Sequence, residues 1–324
     1  MKSVAFKDVI KAVRGAVDYE EKDGYLCFFR FTKDEFANYS LHNIDGLMKK
    51  MYATSGVHIV FSTDSNALFL KLRFRRASTR TMGDAVDVLI NGALYRSVGH
   101  AGKEESEIEQ MLALPKGEKR VTLVLPSLHS TALGELSLSD GASFLPHTPQ
   151  REMLIYGDSI TQGYDAASPS RTYAMRLALA LDAHAVCKAI GGEVFYPPLA
   201  KMDSGVPAPD VITVAYGVND WHFGISSREE FSENARGFFE GLLKKYPTAR
   251  VCAISPIWTR DFERGTPFSY RELPAMIASA AGERVTVIDG FSFVPEDERL
   301  YSDGLHPNDE GFDYYAEALL RALG

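Results

Sequence analysis

The sequence predicts two domains, an all-β sandwich over residues 1–147 and an α/β domain over residues 150–324. Three observations carry this. The first half is a series of short apolar runs with strand periodicity and little helix. Pro146-His147-Thr148-Pro149 is a cluster of turn formers. From Glu152 onward, apolar strand-like runs alternate with helical patterns, the signature of a parallel sheet covered by helices on both faces. A chain of 324 residues is also longer than one average domain.

Composition sets the outer bounds. With 45% hydrophobic and 24% charged residues, the chain can bury a full core. A net charge of −8 argues against a nucleic-acid binder, which needs a basic face. No apolar run approaches the roughly 20 residues that span a bilayer. The start, Met1 to Asp8, lacks the apolar core of a signal peptide. Cys27, Cys187 and Cys252 sit in apolar runs without metal-ligand spacing and read as free thiols of a reducing compartment. The expectation is a cytoplasmic protein with no nucleic-acid or membrane partner. The sequence leaves its oligomeric state open.

In the first half, Tyr25 to Phe31 is a compact apolar-aromatic run. Val57, Ile59 and Phe61 alternate with small or polar residues, and Leu68, Leu70, Leu72 and Phe74 alternate with Lys71, Arg73 and Arg75. That period of two marks half-buried strands. Val86, Val88 and Ile90 lead through Asn91-Gly92 into Ala93, Leu94 and Tyr95. Asn-Gly between such runs signals a hairpin, because a type I′ turn needs positive φ at both central residues. Val121–Leu125 and Leu133–Leu138 add two strands, and six or so strands with short turns indicate a sandwich. Val9–Val17 reads equally as helix or strand. His42, His58, His100 and His129 have no acid or second histidine at ligand spacing and read as structural. Arg73, Arg75, Arg76 and Arg80 read as the solvated face of a strand and its loop; the sharper alternative is a groove for an acidic or sugar-bearing substrate.

In the second half, strands are expected at Glu152–Tyr156, His184–Ala189, Val211–Tyr216, Arg250–Ser255 and Val285–Ile288. Helices are expected at Arg171–Leu181, Glu229–Lys245, Tyr270–Ala281 and Asn308–Leu323, the last capped by Asn308. In such a sheet, ligands bind beyond the carboxyl ends of the strands. Four blocks fall there: Gly157-Asp158-Ser159, Gly191-Gly192, Gly217-Val218-Asn219-Asp220 and Asp303-Gly304-Leu305-His306.

These blocks supply what acyl transfer needs. A serine hydroxyl is a weak nucleophile until a base takes its proton, and His306 can be that base for Ser159. Asp303, three residues earlier, can orient His306 and stabilise the imidazolium. The N–H groups of Ser159 and Gly192 and the Asn219 amide can hold an oxyanion. Asp158 reads as an anchor of its turn, Asp220 as a structural partner of its loop, and His184 as structural. Trp221 and His222 read as walls of a substrate pocket, with ordinary loop packing as the equal alternative. No zinc-ligand spacing occurs, so neither metal nor cofactor is expected.

Together the blocks resemble the SGNH, or GDSL-type, esterase and acylhydrolase superfamily, with Ser159, Gly192, Asn219 and His306 as its four markers and Asp303 completing a triad. The resemblance covers the second domain in family order. Ala-Ile-Gly-Gly-Glu departs from the usual asparagine-containing glycine block, which leaves Gly191 as an alternative to Gly192. It implies a flavodoxin-like, three-layer catalytic domain. A sandwich ahead of it, jelly-roll-like, resembles the layout of two-domain bacterial carbohydrate esterases. The implied activity is hydrolysis of short acyl esters, acetyl above all, on a small molecule or glycan. An acyltransferase with the same triad, or a carbohydrate-binding protein with an idle hydrolase fold, are the alternatives. The α/β-hydrolase elbow fits less well, since Thr161 stands where Gly-x-Ser-x-Gly requires glycine.

Overall fold

The computed structural model describes residues 1–324 except 42–45, 81, 100–103, 224–226 and 264–267. His42 and His100 lie outside the described residues. Two antiparallel sheets form the sandwich. One runs in the order Asp18–Lys22, Tyr25–Phe29, His129–Leu138, Ala67–Arg76, Glu105–Ala113, with Lys2–Ser3 beside His129–Leu138. The other runs Leu145–Pro146, His58–Thr63, Lys119–Val124, Val86–Ile90, Ala93–Val98, with Val13–Arg14 beside His58–Thr63.

The alternation reads out as expected. Leu68, Leu70, Leu72 and Phe74 are buried against Val57, Ile59, Phe61, Val86, Val88, Val121 and Leu123. Asn91 and Gly92 have φ of 51° and 86°, the left-handed pair that the hairpin requires. The ambiguous Val9–Val17 stretch divides into the helix Phe6–Ala12 and the short strand Val13–Arg14. Glu105–Ala113 is a further strand. It lies at a sheet edge, and Arg73–Glu107 at 2.7 Å, Lys71–Glu109 at 3.0 Å and Arg75–Glu105 at 3.4 Å pair its acids with the neighbouring strand. Charge on an edge strand protects it from pairing with other chains.

The second domain is a parallel sheet in the order Ala183–Cys187, Arg151–Gly157, Val211–Ala215, Arg250–Ile254, Thr286–Ile288. Numbered within the domain this is 2-1-3-4-5, the flavodoxin-like order. Alternate residues of each strand face opposite layers. Met153 and Ile155 bury against the helices Tyr173–Ala180 and Asp309–Leu323, through Tyr173, Leu177, Phe312 and Tyr315. Leu154 and Tyr156 bury against Arg228–Lys245 and Leu273–Ala281, through Phe238, Leu242, Leu273 and Ile277. Asn308 caps the final helix by accepting from Gly311 N at 3.1 Å. No helix among the described residues is long and apolar enough to cross a membrane.

The two cores do not divide at the Pro146–Pro149 crossing. The helices Lys33–Tyr39 and Leu47–Met51 belong to the first half of the chain. Yet Phe31, Tyr39, Leu47 and Met51, none more than 1% exposed, lie in the same cluster as Leu154, Tyr156, Val186 and Ile190. The helices Lys33–Tyr39 and Leu47–Met51 therefore pack against the α/β domain.

Candidate active site

The strand Arg151–Gly157 is buried from Met153 onward and ends where the chain must turn sharply. A Cβ on Gly157 would lie 2.0 Å from Thr161 Oγ1 and 3.1 Å from Ala215 O, so glycine is needed here for close approach. Asp158 Oδ1 accepts from Ile160 N at 3.0 Å and caps the one-turn helix Ser159–Gln162. Asp158 thus anchors the turn, and burial pushes its carboxyl up to about 6. The turn presents Ser159 at the switch between the domain's first and third strands, the crevice where this topology binds ligands.

His306 comes from the loop before the last helix. Its Nε2 lies 2.8 Å from Ser159 Oγ and its Nδ1 lies 2.8 Å from Asp303 Oδ2. Asp303 Oδ1 accepts from Leu305 N at 3.0 Å and His306 N at 2.8 Å. Burial acts to raise the Asp303 pKa, but the hydrogen bonds from the His306 ring and backbone win and hold the carboxyl well below the ordinary range. Ser159 and His306 are buried, and Asp303 is half-buried.

Gly191 and Gly192 lie in the loop after the domain's second strand, where Ile190 N donates to Gly157 O at 3.1 Å, beside the serine turn. Gly191 N is already committed, donating to Gln162 Oε1 at 2.7 Å. Gly192 adopts φ of 90°, a conformation open to glycine. Asn219 Nδ2 donates one hydrogen to Glu193 O at 2.9 Å, which fixes the amide and leaves its second hydrogen for another acceptor. The loop is held from the first half of the chain. Arg30, fully buried, donates to Ala53 O at 2.6 Å, Ala189 O at 3.1 Å, Lys50 O at 3.1 Å and Cys187 O. Lys50 Nζ donates to Gly191 O.

One expectation is corrected. Trp221 does not wall a pocket: it is 1% exposed, its Nε1 donates to Phe268 O at 2.9 Å, and its ring packs edge-on against Tyr270. Its size and apolar neighbours draw it into the core. His222 is half-buried on the same short helix, its ring edge-on to the exposed Phe223 rather than joined to the triad. Asp220 is fully buried, and burial pushes its carboxyl up to about 7. His58 sits in the interior, its Nδ1 2.9 Å from Gly56 O, and burial pushes it and His184 down to about 4.

The basic cluster divides. Arg73 and Arg75 lie on the solvated strand face with glutamate partners. Arg80 instead reaches across from the sandwich: its Nη2 donates to Asp303 Oδ2 at 2.7 Å and its Nη1 lies 3.5 Å from Asp165 Oδ1. Asp165, Asp303 and His306 bring their ligand-type atoms within 4.8 Å of one another, and the cation bridging the two carboxylates is Arg80. Tyr164 stacks on the His306 ring at 5.5 Å, and Ser78 donates to its hydroxyl at 2.8 Å. Asp165, Tyr164 and Ser78 carry no motif that marks them.

The arrangement can move a proton from Ser159 to an imidazole whose other nitrogen is held by a carboxylate. Residues 155–314 match the GDSL-like Lipase/Acylhydrolase family model. The GDSL lipase Rv0518 of Mycobacterium tuberculosis is 28% identical over 183 residues, covering 51% of this chain and 78% of the relative. The fold is similar, at TM-score 0.82 and 24% identity, to the salicylyl-acyltransferase SsfX3 of a tetracycline biosynthetic pathway, over 100% of this chain and 97% of that one. It is similar at TM-score 0.69 and 20% identity to a family two carbohydrate esterase from Cellvibrio japonicus, over 99% and 96%. Both likenesses run through the sandwich and the α/β domain together. The chain is an ester-hydrolysing enzyme with a GDSL-like lipase/acylhydrolase domain.

Proposed function

We propose that the chain is a serine esterase that removes short acyl groups, acetyl above all, from an alcohol such as a carbohydrate. The observation that carries this reading is the continuous chain of 2.8 Å contacts from Ser159 Oγ through both nitrogens of His306 to Asp303. Ser159 attacks the ester carbonyl as His306 Nε2 takes its proton. Asp303 holds the imidazolium by Nδ1. Ser159 N, Gly192 N and Asn219 Nδ2 receive the oxyanion; Gly192 is preferred to Gly191 because the latter's N–H is spent on Gln162. His306 then gives its proton to the leaving alcohol, and an acyl-enzyme remains. Water, deprotonated by His306, releases the acid and restores Ser159.

The carbohydrate preference rests on fold similarity to the family two carbohydrate esterase. Transfer to an alcohol in place of water is the second reading, favoured by the end-to-end likeness to the salicylyl-acyltransferase. We take 1–147 and 150–324 as the two domains, the first lending residues to the second. A reducing, cytoplasmic setting is part of the proposal and is supported by free Cys27, Cys187 and Cys252.

A panel of acetyl to octanoyl esters of aryl and sugar alcohols, with and without added acceptor alcohol, tests the reading. Fastest turnover on acetyl sugars with free acid as product supports the esterase. Ester products in the presence of acceptor support the transferase. No turnover of any ester contradicts both.

A further inference from the structure

We propose that the sandwich loop Ala77–Arg80 is a working part of the active site, with Arg80 as a positioning residue that selects which carboxylate holds His306. This rests on the reading of Ser159, His306 and Asp303 as the triad.

The loop is built to hold a shape. It follows the strand Ala67–Arg76, and Ala77 N donates to Leu128 O at 3.1 Å. Arg76 turns back on it, donating from Nε to Ser78 O at 2.7 Å and from Nη2 to Thr79 O. Ser78 Oγ in turn accepts from Arg80 N at 3.3 Å. The Arg80 guanidinium therefore leaves the sandwich from a braced backbone.

Two carboxylates compete for the same imidazole nitrogen. Asp303 Oδ2 lies 2.8 Å from His306 Nδ1, and Asp165 Oδ2 lies 4.0 Å from it. Asp165 is 3% exposed, and that Oδ2 has no hydrogen-bond partner. An acid in that state gains by swinging onto the imidazole. Arg80 opposes the swing by holding Asp165 through Oδ1, and it fixes Asp303 through the oxygen that receives His306. A carboxylate approaching from the Asp165 side would turn the ring and draw Nε2 away from Ser159 Oγ.

The loop also braces the flat side of the ring. Ser78 holds the Tyr164 hydroxyl, and the Tyr164 ring is stacked on His306. A Cβ on Gly191 would lie 2.5 Å from the Tyr164 hydroxyl, so the same tyrosine abuts the glycine loop. One sandwich loop thus touches the partners of the histidine from two directions.

Charge gives the role a signature that mere bracing would not. The groups facing His306 are Asp303 on its own loop, Asp165 and Tyr164 beyond the serine turn, Asp158 before it, and Arg80 from the sandwich. Arg80 is the cation on the carboxylates of Asp165 and Asp303, while Arg260 reaches only the Asp303 carbonyl, at 3.2 Å. Without Arg80 the imidazolium is favoured, and the enzyme must go to higher pH to become active.

The test is the pH dependence of kcat/KM for p-nitrophenyl acetate in the full chain, with folding checked by circular dichroism. Arg80→Gln should lose roughly 10- to 100-fold in kcat, the scale of misplacing a catalytic group by about 1 Å. Its acidic limb should move to higher pH. Arg80→Lys, which keeps the charge but not the fork, should restore the limb and part of the rate. Arg80→Gln/Asp165→Asn, which removes the competing acid, should recover rate over Arg80→Gln alone. A limb unmoved in Arg80→Gln, or a double variant no better than the single, overturns the proposal; if Arg80→Gln does not fold, a displaced limb in Arg80→Lys does so. Ser159→Ala run alongside separates the two claims: its retained activity would defeat the triad itself, whereas its inactivity beside an unchanged Arg80→Gln profile defeats this inference alone.

Discussion

Lys188 and Glu35 form an ion pair at 2.6 Å in which both side chains are fully buried. It joins the end of the domain's second strand, just before Gly191-Gly192, to a helix from the first half of the chain. Burial pushes Lys188 down to about 8, against the opposing pull of Glu35. A buried pair contributes little net stability over an apolar substitute, but breaking one side leaves an uncompensated charge.

Lys188→Met should therefore lower unfolding stability by about 3–5 kcal/mol, measured by urea denaturation. Lys188→Met combined with Glu35→Leu should recover much of that loss. A single variant as stable as the parent would show that the pair does not hold the glycine loop in place.

Asp220 supplies a pH prediction. Its folded-state pKa is raised to about 7 from the ordinary 3.8, chiefly by burial, with the charges of Glu193 and Asp158 acting in the same direction. Between those two values the folded state keeps a proton that the unfolded chain has lost. The group's contribution to stability is thus present at low pH and is lost as pH rises toward about 7. Asp158, raised to about 6 by burial, adds the same slope over a narrower window. Asp220→Asn should be more stable relative to the parent at about pH 8 than at about pH 5, as read from thermal melts across pH. Parallel melting curves for the two proteins would contradict the placement of the charge.

Of the proposed oxyanion donors, Asn219 is the most easily isolated, because its amide is already held by Glu193 O at 2.9 Å. Asn219→Ala should lower kcat on the order of 100- to 1000-fold with KM little changed, since the lost contact exists only once charge develops. Steady-state kinetics on p-nitrophenyl acetate decide it. A change in KM alone would move Asn219 to ground-state binding.

The parts of the candidate site are legible because each is local in sequence. Gly157-Asp158-Ser159, Gly191-Gly192, Gly217-Val218-Asn219-Asp220 and Asp303 to His306 each pack their meaning into a few residues at a strand end. The parallel strands were legible as apolar runs and the helices as periodic faces. What escaped was non-local. Arg80 meets Asp303 across 223 residues, and nothing nearby in sequence separates it from Arg73 and Arg75, which meet solvent-side glutamates. Glu105–Ala113 was missed because an edge strand with acids on one face and sparse apolar residues on the other gives a weak alternation. Phe31, Tyr39, Leu47 and Met51 announce burial without saying in which core, and they join the one built by the later half of the chain. Trp221 stands beside Asn219 in sequence yet points into the interior, so adjacency to a site residue was a poor guide to its place.

The most direct test of the account is covalent labelling of Ser159. A fluorophosphonate probe, followed by peptide mass mapping, should place a single adduct on Ser159 and none on Ser159→Ala, with esterase activity lost in step with labelling. An adduct on another residue, or ester turnover that survives in Ser159→Ala, would contradict it.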